Sequence, residues 1–203
     1  MNRKKVVKRR VDTSFDIPRT KVRVIGIGGG GGNIVAEIAS RVSRADFFAA
    51  NTDAQDLKKA SSRVRKFPFG QKLTRGLGCG MDANLGELAA RSEKDRMKKL
   101  FEGQDVSIII ASLGGGTGSG AAPVFAQAAR EAKSLVLGIF TLPFEFEGKK
   151  RKEIAHLSLE KIRPLVNAYT IIPNERIFKT IEKTIPFPQA LSVLNRKLAD
   201  SLG

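Results

Sequence analysis

The feature that most constrains the fold is an apolar run that breaks into glycines at residues 106–123. The segment reads Val-Ser-Ile-Ile-Ile-Ala-Ser-Leu-Gly-Gly-Gly-Thr-Gly-Ser-Gly-Ala-Ala-Pro. Its apolar first part predicts a buried strand, and its alanine-rich end, with Pro123 near the start, predicts a helix. Glycines let the backbone approach a ligand closely, and the free N–H groups at the start of the helix favour an anion. The segment therefore predicts a phosphate-binding loop.

This loop differs from the P-loop, which carries a lysine and then Ser or Thr after its last glycine. Here Gly120 is followed by Ala121 and Ala122. Since the loop contains no lysine that reaches the phosphates, we expect charge neutralisation from a metal ion or from a basic residue elsewhere. The alternative is a tight turn that holds no ligand.

A second glycine run follows an earlier β-branched stretch. Residues 22–27 predict a strand, 28–32 a loop, and 34–42 one face of a helix that Asn33 can cap. The run also contains a G-x-G-x-x-G pattern with acids about 20 residues downstream, which leaves a nicotinamide-dependent oxidoreductase as an alternative. The residues of that pattern are Gly26, Gly28 and Gly31, with Asp46 and Asp53 downstream.

The rest of the chain alternates strands with helices. Further strands are predicted at 47–50, 135–141 and 169–172, whereas 61–84 shows no period and is interpreted as a long glycine-containing loop. Residues 86–101 predict one charged helix. Five strands alternating with helices favour an α/β fold with an open, mainly parallel, Rossmann-like sheet and helices on both faces.

Polar side chains follow several of these strands. Because open α/β sheets bind ligands beyond the carboxyl ends of their strands, we expect the loops to form one site, with Glu147, Arg151 and Asn174 available for sugar, phosphate and base. The sequence fits two interpretations of residues 51–53, a turn with side-chain-to-backbone bonds or direct ligand contact. Cys79 is interpreted as a small buried residue, because no histidine lies near it in sequence.

Charge and composition narrow the class of protein. The 203 residues carry a net charge of +16, and the basic residues Arg3, Lys4, Lys5, Lys8, Arg9 and Arg10 precede any hydrophobic pattern. This tail is predicted to be disordered, or to contact an anionic membrane surface, nucleic acid or an acidic partner. No apolar run approaches the length of a transmembrane helix, and no secretory signal is evident, so a cytoplasmic location is predicted. A single cysteine excludes an internal disulfide.

Taken together, the motifs resemble those of FtsZ, the tubulin-like cell-division GTPase of bacteria and archaea. The loop at 114–120 matches the tubulin/FtsZ signature. The resemblance also covers residues 28–33, 51–55, 72–78, 143–151 and 172–174. It implies a tubulin/FtsZ-type GTPase domain that binds GTP or GDP, with Mg²⁺ held mainly by phosphates and water.

The resemblance also implies a role for each matching residue. Gly80 lies near the terminal phosphate, Glu147 binds the ribose, Arg151 lies near the phosphates and Asn174 binds guanine. The remaining phosphate contacts are Gly29, Gly30, Gly31 and Asn33 from the first glycine run, and Gly115, Gly116, Thr117, Gly118 and Ser119 from the second.

The last helix departs from the family pattern. Where the family presents a Phe and an Asn-Asp pair to the base, the matching residues are Leu191, Asn195 and Arg196. Asn195 is expected to bind the base, but arginine has no acceptor for the guanine N1–H. Guanine selectivity is therefore left open.

The resemblance divides the chain into a basic tail at 1–20, a nucleotide-binding domain at 21–187, and at 188–203 the start of a helix that leads to a second domain in the family. It implies a homopolymer, or partnership with full-length FtsZ, at the division site. The family positions the attacking water with an acidic loop beyond this helix, so hydrolysis by this chain is expected to be weak, with no catalytic residue of its own. The alternative is a short FtsZ-like regulatory or capping protein without GTPase activity.

Overall fold

A computed structural model describes residues 19–175, and within this range six strands form one parallel sheet. The strands lie in the order β3-β2-β1-β4-β5-β6. Their bounds are β1 Val22–Ile27, β2 Asp46–Asn51, β3 Arg65–Pro68, β4 Val106–Ser112, β5 Leu135–Leu142 and β6 Ala168–Pro173. At the centre, β1 pairs with β4 in a register that places Val22 opposite Val106. All six strands therefore end at the same edge of the sheet.

Seven α-helices of the described range connect these strands. They are α1 Gly28–Ala39, α2 Ala54–Lys59, α3 Gln71–Thr74, α4 Ala83–Arg91, α5 Lys94–Phe101, α6 Gly116–Glu131 and α7 Lys149–Ile162. Short 3₁₀ turns at Glu145–Glu147 and Arg163–Leu165 flank α7. No helix in this part of the chain is long and apolar enough to cross a membrane.

Apolar side chains cover both faces of the sheet. One face packs against α1 and α2 through residues such as Val24, Val35 and Ile110. The other packs against α4, α5, α6 and α7, and includes the edge-to-face contacts of Phe125 with Phe69. Neighbouring residues of a strand point to opposite faces, so β1 and β4 contribute to both cores. The predicted α/β sheet with helices on both faces is confirmed.

The glycine runs lie largely inside helices, which corrects the prediction of glycine loops. Helix α1 begins at Gly28, directly after β1, so Asn33 lies in its interior and does not cap it. Helix α6 begins at Gly116, and residues 116–126 are all buried. A Cβ on Gly120 would stand 2.0 Å from the carbonyl oxygen of Ala83, so glycine is required there for α4 to pack on α6.

Two other predictions in this region are wrong. The predicted loop at 61–84 contains β3 and α3, and the predicted helix at 86–101 is two helices that separate after Arg91. Strand β3 is short, lies at the sheet edge and has Arg65 and Lys66 exposed, so it carries little apolar signal. The predicted helix 188–203, with Leu191, Asn195 and Arg196, and the basic tail up to residue 18 lie outside the described residues.

Candidate functional site

A cavity of about 280 Å³ lies at the edge where the strands end; we call it the central cavity. Residues that follow β1, β4, β5 and β6 all contribute to its wall. Ten of the predicted site residues line it: Gly29, Gly30, Gly80, Gly115, Gly116, Thr117, Gly118, Glu147, Arg151 and Asn174. The parallel topology thus brings together residues that are up to about 145 positions apart in sequence.

Two helix N-termini meet at this cavity. The first residues of α1 and of α6 line its wall, and neither helix has an acidic residue in its first turn or a side chain that caps it. The first N–H groups of a helix lack intrahelical partners and lie at the positive end of its dipole. The Gly116 N–H is already bonded to the Gly80 carbonyl at 2.8 Å, which fixes the glycine loop before α4 against α6. The arrangement favours an anionic ligand.

A basic side chain completes the positive wall. The Arg151 guanidinium donates to Glu147 Oε2 at 2.7 Å, and Glu147 Oε1 accepts the Phe144 N–H at 2.8 Å. Glu147 is thereby held in one orientation at the start of α7. The loop at 114–120 has no basic residue of its own, and the Arg151 side chain at this cavity is 41% exposed, which leaves it accessible to a ligand.

Thr117 is held by a buried hydroxyl pair that the sequence did not predict. Its Oγ1 lies 2.7 Å from Oγ1 of Thr52, at the end of β2, and Thr52 Oγ1 lies 3.4 Å from the Cys79 sulfur. These contacts connect β2, the loop before α4, and α6. The only signal for Thr52 was its place at a strand end, because Thr117 is 65 residues away.

The other two polar residues after β2 bond to their neighbours, as in the turn interpretation. The Asp53 carboxylate accepts the N–H groups of Gln55 and Asp56 and so caps α2. The side-chain amide oxygen Oδ1 of Asn51 accepts the Asp53 N–H at 3.2 Å. Side-chain-to-backbone bonds therefore shape the turn between β2 and α2.

Three predicted site residues do not line the central cavity. Gly31 is buried against β4 at Ile110. Asn33 is exposed and lines a neighbouring cavity of about 310 Å³. Ser119 Oγ accepts the Gly114 N–H at 2.8 Å, so Ser119 holds the shape of the loop before α6.

In the described range no group of three or more His, Cys, Asp or Glu residues is placed to hold a metal ion. Mg²⁺ held mainly by phosphates and water stays a prediction.

Comparison with known proteins places this geometry in a family. Residues 21–182 match the sequence model of the GTPase domain of the Tubulin/FtsZ family. Cell division protein FtsZ of Coxiella burnetii is 39% identical over 179 residues, which cover 88% of this chain and 46% of that protein. Cell division protein FtsZ 2 of Rhizobium meliloti is 40% identical over 181 residues, 89% of this chain and 52% of that protein. The chain thus spans about half the length of these relatives.

Solved structures share the fold. An empty FtsZ dimer from M. jannaschii superposes with a TM-score of 0.84 at 34% identity, covering 91% of this chain and 54% of that one. CetZ2 from Haloferax volcanii, solved as a GTPγS-bound protofilament, gives a TM-score of 0.80 at 25% identity, covering 90% and 57%. With the family match, the sequence identities and the superposed structures in agreement, the chain belongs to the Tubulin/FtsZ family and contains its GTPase domain.

Proposed function

We propose that the central cavity binds a guanine nucleotide by its phosphates. The observation that carries this proposal is the meeting of two uncapped helix N-termini beside Arg151. Backbone N–H groups, helix dipoles and a guanidinium all favour the same charge. A nicotinamide-dependent oxidoreductase is disfavoured by the second glycine segment and by membership of the GTPase family.

The residues divide by the part of the nucleotide that each would bind. The glycines that begin α1 and α6, together with the Thr117 hydroxyl, would bind phosphate oxygens. Glu147, held by Arg151 and the Phe144 N–H, would accept from the ribose hydroxyls. Asn174 lines the cavity after β6, where it would contact the base, with Asn195 proposed as a second base contact.

We further propose that hydrolysis by these 203 residues alone is slow. Hydrolysis needs a positioned water beside a neutralised phosphate chain. Glu147 is the one acidic residue of the described range that lines the central cavity, and its proposed ligand is the ribose. No second carboxylate of the described range lines this cavity. Mg²⁺ would bind mainly to phosphates and water.

The names of the relatives support a role in cell division. The similar proteins are cell division proteins, and CetZ2 forms a protofilament. We propose that the chain assembles with copies of itself or with full-length FtsZ at the cytoplasmic division site. The second candidate is an FtsZ-like capping or regulatory protein. It differs from the first candidate because it would not hydrolyse GTP under any condition.

The test measures nucleotide binding and phosphate release on the purified chain. We expect GTP and GDP to bind more tightly than ATP, and Arg151→Ala to weaken GTP binding at least about tenfold, because it removes a charge-assisted contact. Lys152→Ala is the matched control, since Lys152 is on the same helix and pairs with exposed Glu145.

The measurements test nucleotide binding first and then separate the two candidates. Equal affinity for ATP and GTP, or an Arg151→Ala variant that binds like the wild type, would contradict the proposal. Phosphate release that rises when full-length FtsZ is added supports an assembling GTPase. Co-sedimentation with that protein without any rise supports the capping protein.

A further inference from the structure

A carboxylate, that of Asp56, lies beside the first turn of α1. A Cβ placed on Gly29 would stand 3.0 Å from Asp56 Oδ2. Gly29 lines the central cavity, and it also lines the neighbouring cavity between α1 and α2, to which Asp56 contributes. Gly29 therefore separates the two cavities, and the Asp56 side chain lies next to it.

Asp56 is fixed in this position by its neighbours. The amide nitrogen of Asn51 donates to Asp56 Oδ2 at 2.7 Å, and Asn51 is only 4% exposed. The Asp56 N–H is bonded to the Asp53 carboxylate at 2.9 Å. A side chain held by a buried donor cannot swing away without breaking that bond, so its charge stays beside Gly29.

Among residues 19–175, the Asp56 carboxylate has no basic side chain within ion-pair distance. No ion pair among residues 19–175 includes it. Lys59 lines the same α1–α2 cavity but does not reach ion-pair distance. A phosphate at the N-terminus of α1 would thus lie near a carboxylate that has no ion-pair partner among the described residues, as well as near the Arg151 guanidinium.

From this geometry, and resting on the nucleotide binding proposed above, we propose that Asp56 makes the affinity for nucleotide depend on a divalent cation. A bare triphosphate would be repelled by Asp56 at short range, where part of the path is protein and screening is incomplete. A triphosphate that carries Mg²⁺ has less negative charge and can also be approached by Asp56 through bound water. Asp56 would therefore select the cation-bound nucleotide without forming a metal site by itself.

The experiment compares the full chain with Asp56→Asn, which keeps a side-chain oxygen to accept from Asn51. Dissociation constants are measured for GTP and for inorganic tripolyphosphate, each in EDTA and in millimolar Mg²⁺. Asp95→Asn on the exposed surface of α5 is the control for the loss of one negative charge. Thermal unfolding of each variant reports whether the fold is retained.

We expect Asp56→Asn to tighten GTP and tripolyphosphate binding in EDTA about five- to tenfold, and to change binding in Mg²⁺ by less than about twofold. Asp95→Asn should change neither. An equal change with and without Mg²⁺, or no change, would overturn the inference and leave Asp56 a structural residue of the turn. Failure of the wild type to bind GTP under any condition would instead refute the proposed function.

Discussion

At the scale of single residues, Gly30 shows how closely α1 approaches the sheet. A Cβ on Gly30 would stand 2.3 Å from Oγ and 2.5 Å from Cβ of Ser112, at the end of β4. Rotation of the Ser112 hydroxyl cannot relieve the second contact. We expect Gly30→Ala to lower the free energy of unfolding by about 1–3 kcal/mol, as overpacking does. Urea denaturation measures the loss, and the slope of the unfolding free energy against urea concentration should be unchanged.

A control for this prediction lies two residues away. A Cβ on Gly32 would have Ala49 Cβ as its nearest neighbour, at an ordinary 3.8 Å. Gly32→Ala should therefore stabilise the protein by about 0.5–1 kcal/mol, because alanine loses less backbone entropy in a helix. If both variants have the same urea midpoint as the wild type, the result would contradict the close contact between α1 and β4.

Some site residues were predictable from sequence and others were not. The glycines near the start of a helix carry a local signal in the sequence. So do the polar residues that follow strands, Glu147, Arg151 and Asn174, and these three line the central cavity. The Thr52–Thr117 hydroxyl pair has no such signal, because the pairing follows from the order of strands rather than from neighbouring residues. The same applies to Asp56, whose carboxylate and Gly29 are brought together by β1 and β2.

At the scale of elements, α4 and α7 both pack against α6 and are joined by an ion pair. Lys161 Nζ donates to Glu87 Oε2 at 2.8 Å, and Arg91 contacts Glu87 Oε1. The Lys161 hydrogen bond is the main cause that lowers the pKa of Glu87 below its ordinary value of 4.5. Because the folded pKa is lowered, the stabilisation is complete above pH 4.5 and is lost as the pH falls through the folded pKa.

This linkage predicts the pH dependence of a variant. Lys161→Met should be less stable than the wild type by about 0.5 kcal/mol at pH 7, since Lys161 is largely exposed and its charge is screened. The difference should shrink as the pH falls below 4.5, where Glu87 becomes protonated. Urea unfolding at pH 7, 5 and 3 measures it, with Lys99→Met on α5 as the control. A constant difference across this range would show that the ion pair is not its cause.

The elements themselves were predicted where apolar residues dominate. The strands β1, β4 and β5 have β-branched or leucine-rich runs that are buried on both faces, which gives a strong signal. The start of α1 was misplaced because glycine favours loops in isolation, and here packing against β4 overrides that preference. Edge strand β3 is recognisable only through its pairing with β2.

At the scale of the whole molecule, positive charge is the dominant property. The first 18 residues alone carry six basic and two acidic side chains of a chain with net charge +16. We expect removal of residues 1–18 to leave nucleotide affinity unchanged, because the main chain of Lys21 and strand β1 are held by Asp105 and β4. The same removal should weaken binding to phosphatidylserine vesicles or to duplex DNA, and reduce its salt dependence.

Sedimentation with each polyanion at several salt concentrations measures this prediction. Replacement of the six basic residues by serine in the intact chain is the control for length. If the shortened chain binds GTP less tightly or unfolds more easily, the segment contributes to the fold. Unchanged binding to both polyanions would show that the folded domain supplies the charge they contact.

The register between β1 and β4 has a consequence for synthesis on the ribosome. The two central strands are separated by about 84 residues, as in the contact between Lys21 and Asp105. The central pair of strands therefore cannot form until β4 has left the ribosome. Until then, the apolar residues of β1 lack the strand with which they pair at the centre of the sheet. Such long-range pairing slows folding. A ribosome that pauses before residue 112 would hold a nascent chain that already contains β1, β2 and β3 but cannot yet complete either core.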